Sequence, residues 1–160
     1  MDWTRLFQMQ YELDRYIETN QQVEKDDLFN KKTLALMVEV GELANETRTF
    51  KFWSKKPASE RAVILEEYVD GIHFLMSLGL ELGHRYDSTA LSGPEDLTDA
   101  FHQVYEGIVT LKNKQDQETY QQLFQDYLYL GELLGFSEED IVDAYDAKNK
   151  VNYERQQNDY

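Results

Sequence analysis

The chain of 160 residues is 41% hydrophobic and 29% charged, which excludes a disordered tail or a membrane protein and suits one globular domain. Sixteen Lys and Arg against thirty-one Asp and Glu leave a net charge of −15, which excludes a general nucleic-acid-coating role and opposes anionic lipid. The same charge opposes a phosphate-bearing substrate unless a metal ion mediates the contact.

Cysteine is absent, so disulfides, thiolate catalysis and Cys-ligated zinc or iron–sulfur sites are excluded. The opening MDWTRLFQMQ is amphipathic and mixed in charge, unlike a signal peptide. The apolar region around residues 72–82 is interrupted by His73, Ser77 and Glu81 and is too short for a bilayer. The expectation is a soluble cytoplasmic protein.

In chain order, Trp3, Leu6, Phe7, Gln10, Leu13, Tyr16 and Ile17 recur at three- and four-residue intervals and predict a first helix. Asp26 or Asp27 can cap a second over about 28–48, with Leu34, Met37, Val38 and Leu43 as its apolar stripe. Residues 51–59 hold an aromatic pair, three lysines and Pro57 and read as a loop. A third helix runs over about 60–82 and stops at Gly83. Its second half, GIHFLMSLGLELG, is apolar almost all round, which predicts burial on several sides.

Residues 84–93 are a polar turn, and Pro94 is expected to open a fourth helix through about Lys112. A fifth spans about 117–134. Ser137-Glu138-Glu139-Asp140 resembles a capping box that starts a sixth toward Asn158. No period-two segment competes, so the expected fold is all-α, a bundle of about six helices in a single domain over 1–160. Residues 88–135 are more polar than their flanks and read as an inserted helical pair.

Two carboxylate pairs carry the strongest chemical signal: Glu39-Val40-Gly41-Glu42 and Glu67-Tyr68-Val69-Asp70. Residues three apart share a helix face, so each pair projects two acids in one direction. Both pairs sit in apolar surroundings, where an unpaired charge is costly. A single pair of this kind is most often a solvated face. Two on consecutive helices would meet if the helices pack antiparallel across the 51–59 loop, and a hard divalent cation, Mg²⁺ or Mn²⁺, then compensates them. Glu46 and Glu66 are further acids nearby. A di-iron site fits poorly: Asp70-x-x-His73 is one imperfect Glu-x-x-His copy, and Glu42 stands where the other histidine is required.

Two basic clusters interrupt the acidity. Lys51, Lys55 and Lys56 surround Phe52-Trp53, and Lys148, Asn152 and Arg155 fall at i, i+4 and i+7 on the last helix. That stripe is either a solvated face or a phosphate site, with Lys148 and Arg155 on phosphates and the Asn152 amide on a base edge. Trp53 is either packing or a stacking platform.

These residues resemble the dimeric dUTPases, all-α nucleoside triphosphate pyrophosphatases related to MazG-like proteins. The resemblance is closest in LFQMQYELDRYI, ALMVEVGELANETRTFKFWSKK, LEEYVDGIHFLMSLGLELG and YDAKNKVNYERQQNDY. It implies a homodimer that hydrolyses dUTP, and usually dUDP, to dUMP. It implies Glu39, Glu42, Glu67 and Asp70 as Mg²⁺ ligands around the catalytic water, with Glu42 as the acid that orients or deprotonates it. Lys148 and Arg155 would hold phosphates. Asn152 and Gln10, with Trp53, would form a uracil pocket, and His73 and Phe74 would lie against the deoxyribose. A MazG-like pyrophosphatase of other base specificity keeps the four acids without needing Trp53, Asn152 or Gln10, and a helical interaction module needs none of them.

Overall fold

The computed structural model describes residues 1–23 and 27–158, and within them the chain forms six helices and no strand, as the periodicity predicts. They are α1 (Trp3–Asn20), α2 (Leu28–Thr47), α3 (Arg61–Leu82), α4 (Leu97–Lys114), α5 (Gln117–Leu133) and α6 (Glu138–Gln157).

Side-chain caps set most of the starts. Asp2 accepts the Arg5 N–H, Asp96 that of Asp99 and Asp116 that of Thr119, each satisfying a donor the helix leaves orphaned. Ser137 and Asp140 form the expected capping box reciprocally. Two expectations about starts need correction. Pro94 does not open α4; Asp96 does, two residues later, and the helix runs on to Lys114. Asp27 sits at φ 71° and makes no side-chain cap hydrogen bond, while Asp26 lies outside the described residues. Gly83 ends α3 at φ 75°, where the His84 N–H turns back to the Gly79 carbonyl at 2.7 Å.

Helix α3 is the spine. It packs against α1, α2, α5 and α6, while α4 pairs with α5 and leans on α2. Gly71, Ile72, His73 and Leu75 through Gly79 are all buried, as an all-round apolar helix must be. The α2 stripe differs from expectation. Leu28, Thr33, Leu36, Val40 and Leu43 face the core, whereas Leu34 is 63% and Val38 50% exposed. The helix has apolar residues on two faces, and α3 covers one of them.

Tyrosines of α3 and α5 lock these helices together. The Tyr68 hydroxyl donates to the Tyr127 carbonyl at 3.0 Å and the Tyr127 hydroxyl to the Tyr68 carbonyl at 2.6 Å, with the rings stacked 4.7 Å apart. Glycine makes the approach feasible. A Cβ on Gly71 would lie 2.0 Å from the Tyr127 hydroxyl oxygen and one on Gly131 would lie 2.4 Å from that of Tyr68. Tyr120 repeats the device, donating to the Leu75 carbonyl at 2.7 Å over Gly79.

A Gly71→Ala substitution should therefore cost about 2 kcal/mol, because a ring held by its own hydrogen bond cannot yield. Urea unfolding followed by circular dichroism measures it. A cost near zero would show that the ring moves freely.

Candidate functional site

Helices α2 and α3 run antiparallel across a loop held at both ends. The Arg48 guanidinium, leaving α2, donates to the Lys56 carbonyl at 3.1 Å and the Ser54 hydroxyl at 2.8 Å. Ser59 returns to Glu46 through its amide, to the carbonyl at 3.0 Å, and through its hydroxyl, to the carboxylate. Glu46 thus ties down the loop.

This geometry brings the two acidic pairs together. One carboxylate oxygen each from Glu39, Glu67 and Asp70 lies within 4.8 Å of the others. Glu42 stands beside them, more exposed, within hydrogen-bonding reach of Glu39 and Glu67. Burial, reinforced by neighbouring carboxylates, pushes Glu39 up to about 8 and Glu67 up to about 7. Glu39 Oε2 and Glu67 Oε2 are buried without a hydrogen-bond partner among the described residues. Clustered carboxylates with unpartnered oxygens fit a hard divalent cation, which takes oxygen ligands and supplies the missing positive charge.

Part of that charge comes from Lys148 on α6, whose Nζ lies 2.9 Å from Glu66 Oε1 and 3.1 Å from Asp70 Oδ1. Desolvation alone would lower the pKa of Lys148, but its bonds to Glu66 and Asp70 outweigh that and raise it. Asp70 is itself raised, because burial outweighs the attraction of Lys148 and Arg155.

Beside the acids opens a cavity of about 400 Å³, within the range of small-molecule sites. Gln10, Glu39, Asp70, His73, Phe74, Lys148, Asn152 and Arg155 all line it, contributed by four helices. Phe74 is half-buried and His73 is 5% exposed. Burial, then the nearby Lys148 charge, lowers His73 to about 3, so the ring is neutral.

Trp53 does not join them. It is 65% exposed on the loop after α2, edge-on to Phe50 and Phe52, and lines no part of the cavity.

The cavity also holds residues that motif spacing passed over. Asp14 lies four residues after Gln10 and accepts from its amide at 2.8 Å; Ser77 lies four after His73 and donates to Asp14 at 2.8 Å. Lys32 is anchored to Glu81 at 2.7 Å on the rim. Behind the lining and wholly buried, Tyr145 extends the α6 stripe of Lys148, Asn152 and Arg155 backwards by one turn and stacks on His73 with ring centroids 4.3 Å apart. For Asp14, Ser77 and Tyr145 the signal was helical spacing from a residue already singled out.

Among the described residues, no helix is long and apolar enough to cross a membrane. No curated protein matches the chain. Residues 2–160 match the dUTPase family, nearly end to end, and the match spans both acidic helices and every residue of the cavity. The chain therefore belongs to the dUTPase family, hydrolases that act on the phosphoric anhydride bonds of a nucleotide.

Proposed function

We propose that this protein is a cytoplasmic, homodimeric, Mg²⁺-dependent dUTP diphosphatase that hydrolyses dUTP and dUDP to dUMP. The observation that carries it is the convergence of Glu39, Glu67 and Asp70, with unpartnered buried oxygens, at one end of a cavity lined by Gln10, His73, Lys148 and Asn152.

Glu39, Glu67 and Asp70, with Glu42 beside them, would hold Mg²⁺ or Mn²⁺. A divalent ion in such a place neutralises phosphate charge and acidifies water. Glu42, the outermost of the four acids, orients the attacking water and takes its proton as oxygen adds to phosphorus. The anhydride bond then breaks and pyrophosphate leaves, or phosphate from dUDP. Lys148 and Arg155 hold the phosphates, and for this Lys148 exchanges a carboxylate for a phosphate oxygen. Asn152 reads the uracil edge with Gln10 behind it, and Phe74 and His73 lie against the deoxyribose. Trp53 and its loop reach the base from outside the cavity.

The second copy covers the apolar face that α3 leaves open. Leu34 and Val38 on α2 and Phe52, 93% exposed, on the next loop are the exposed apolar groups this reading places at the interface. The helical pair within 88–135 reads as an insertion whose first helix, α4, packs on α2.

Pyrophosphate release from a panel of deoxynucleoside triphosphates, with Mg²⁺ and with EDTA, should show metal-dependent turnover selective for dUTP. Glu42→Gln should lower kcat at least 100-fold while preserving the fold, and Asn152→Ala should erode discrimination against dCTP by about tenfold. Near-normal rates in Glu42→Gln would overturn its role.

The acids predict a pH dependence. Protons on Glu39 and Glu67 must leave before a cation binds, so affinity should rise with pH and level off above about 8. Because their pKa values are raised on folding, the metal-free fold retains protons that the unfolded chain releases. Its stability should therefore fall as pH rises from about 4.5 to about 8, and the cation should reverse that loss. Thermal unfolding across this window, with and without the ion, checks the sign. Leu34→Glu should convert the dimer to monomers in size-exclusion chromatography with light scattering; an unchanged mass would move the interface elsewhere.

A further inference from the structure

Asp14 anchors a chain of hydrogen bonds whose direction is set at every link. An ionised carboxylate only accepts, so with Asp14 charged Gln10 Nε2 is the atom 2.8 Å from Asp14 Oδ1; burial raises the Asp14 carboxyl, and the Lys32 charge with the Ser77 and Gln10 hydrogen bonds pulls it back toward the ionised form. The Ser77 hydroxyl donates to Asp14 Oδ2 at 2.8 Å and braces the carboxylate. Gln10 Oε1 consequently faces the other way. It accepts from the Tyr145 hydroxyl at 2.9 Å and lies 2.7 Å from His73 Nδ1. An amide oxygen has no proton to give, so His73 Nδ1 carries the hydrogen. In the neutral ring Nε2 is then a bare lone pair. It is buried and without a partner among the described residues, on a ring that lines the cavity. A buried acceptor is costly until a donor reaches it.

We propose that Asp14, braced by Ser77 and acting through Gln10 with Tyr145, is a positioning residue that holds His73 in its Nδ1–H tautomer, so that Nε2 accepts a hydrogen bond from the bound nucleoside. This rests on the reading of the cavity as a deoxyuridine nucleotide pocket. The donor is an N–H or O–H, which a deoxyuridine nucleotide offers as uracil N3–H or the sugar 3′-hydroxyl. Cytosine has no hydrogen at N3, so a base contact would oppose it lone pair to lone pair and add to discrimination. Gln10 has no oxygen lone pair left for the base, since both protein donors already use its carbonyl.

Imidazole ¹⁵N spectra of the full-length, nucleotide-free protein test the tautomer without reference to activity. The expected result is His73 protonated at Nδ1 alone, and a mixture of both tautomers in Asp14→Asn, with Ser77→Ala as a milder second variant. A proton on Nε2 in the parent protein, or pure Nδ1–H in both variants, overturns the assignment to Asp14. Kinetics with N3-methyl-dUTP and with 2′,3′-dideoxyuridine triphosphate test the contact. One analogue should show KM raised about tenfold over dUTP with kcat little changed, and His73→Phe should abolish that difference. The methyl analogue identifies the base N–H, the dideoxy analogue the sugar hydroxyl. Equal handling of both analogues and dUTP overturns the contact. Absence of any dUTP turnover in the parent protein instead defeats the nucleotide reading and with it the contact, while the spectra still decide the tautomer.

Discussion

Everything in this fold depends on how closely α3 and α5 approach. Tyr68 and Tyr127 each give a hydroxyl hydrogen to the other's backbone carbonyl, over a glycine on the facing helix. A buried phenol needs a partner, and here two satisfy each other without water or a charged group. The pair also sets the register of α3. Glu67 precedes Tyr68 and Asp70 precedes Gly71, so the rotation that seats the ring and clears the glycine points both carboxylates toward α2. The acids remain together beside the aromatic lock, close enough for their charges to act on the Tyr127 hydroxyl, whose pKa is raised first by burial.

The cost of that arrangement is electrostatic. Burial raises the proton affinity of Glu39 and Glu67, and the neighbouring carboxylates add to it. Lys148 beside Asp70 offsets part of it, and the raised proton affinity of Glu39 and Glu67 is the remainder of the same cost. A net charge of −15 describes the surface of the chain and says little about a pocket where Lys32, Lys148 and Arg155 face the acids.

Much of this was legible in the residues. A three-residue spacing is a geometric statement about a helix, so the acidic pairs were bound to share faces; Ser137 and Asp140 mark a helix start by their side-chain hydrogen bonds, and Gly83 marks an end by its left-handed backbone. Other features depend on partners far away in sequence. Leu34 and Leu36 are chemically alike, and only the placement of α3 makes one exposed and the other buried. The polarity of 88–135 concealed its share of the core, because Tyr120 and Tyr127 look amphipathic in a string and prove wholly buried. Asp14 belongs to no acidic pair, and its part in the cavity comes from Gln10 one turn away and Ser77 on another helix. Trp53 left packing and stacking both open in the sequence, because a loop residue's position follows from what packs on the loop.

The seam between α1 and α6 has a different character from the tyrosine lock. At its outer end Asn20 donates to the Gln156 carbonyl and side chain, and Gln21 to the same side chain, all in exposed positions. Water replaces such bonds at little net cost, whereas nothing replaces a phenol packed onto a glycine. Further along α6 the contacts change, for Lys148 is buried against Glu66 and Asp70 and Tyr145 is stacked on His73. One helix carries Lys148, Asn152 and Arg155, so their spacing along the cavity wall is fixed by helix geometry alone and any change in how α6 packs shifts all three together.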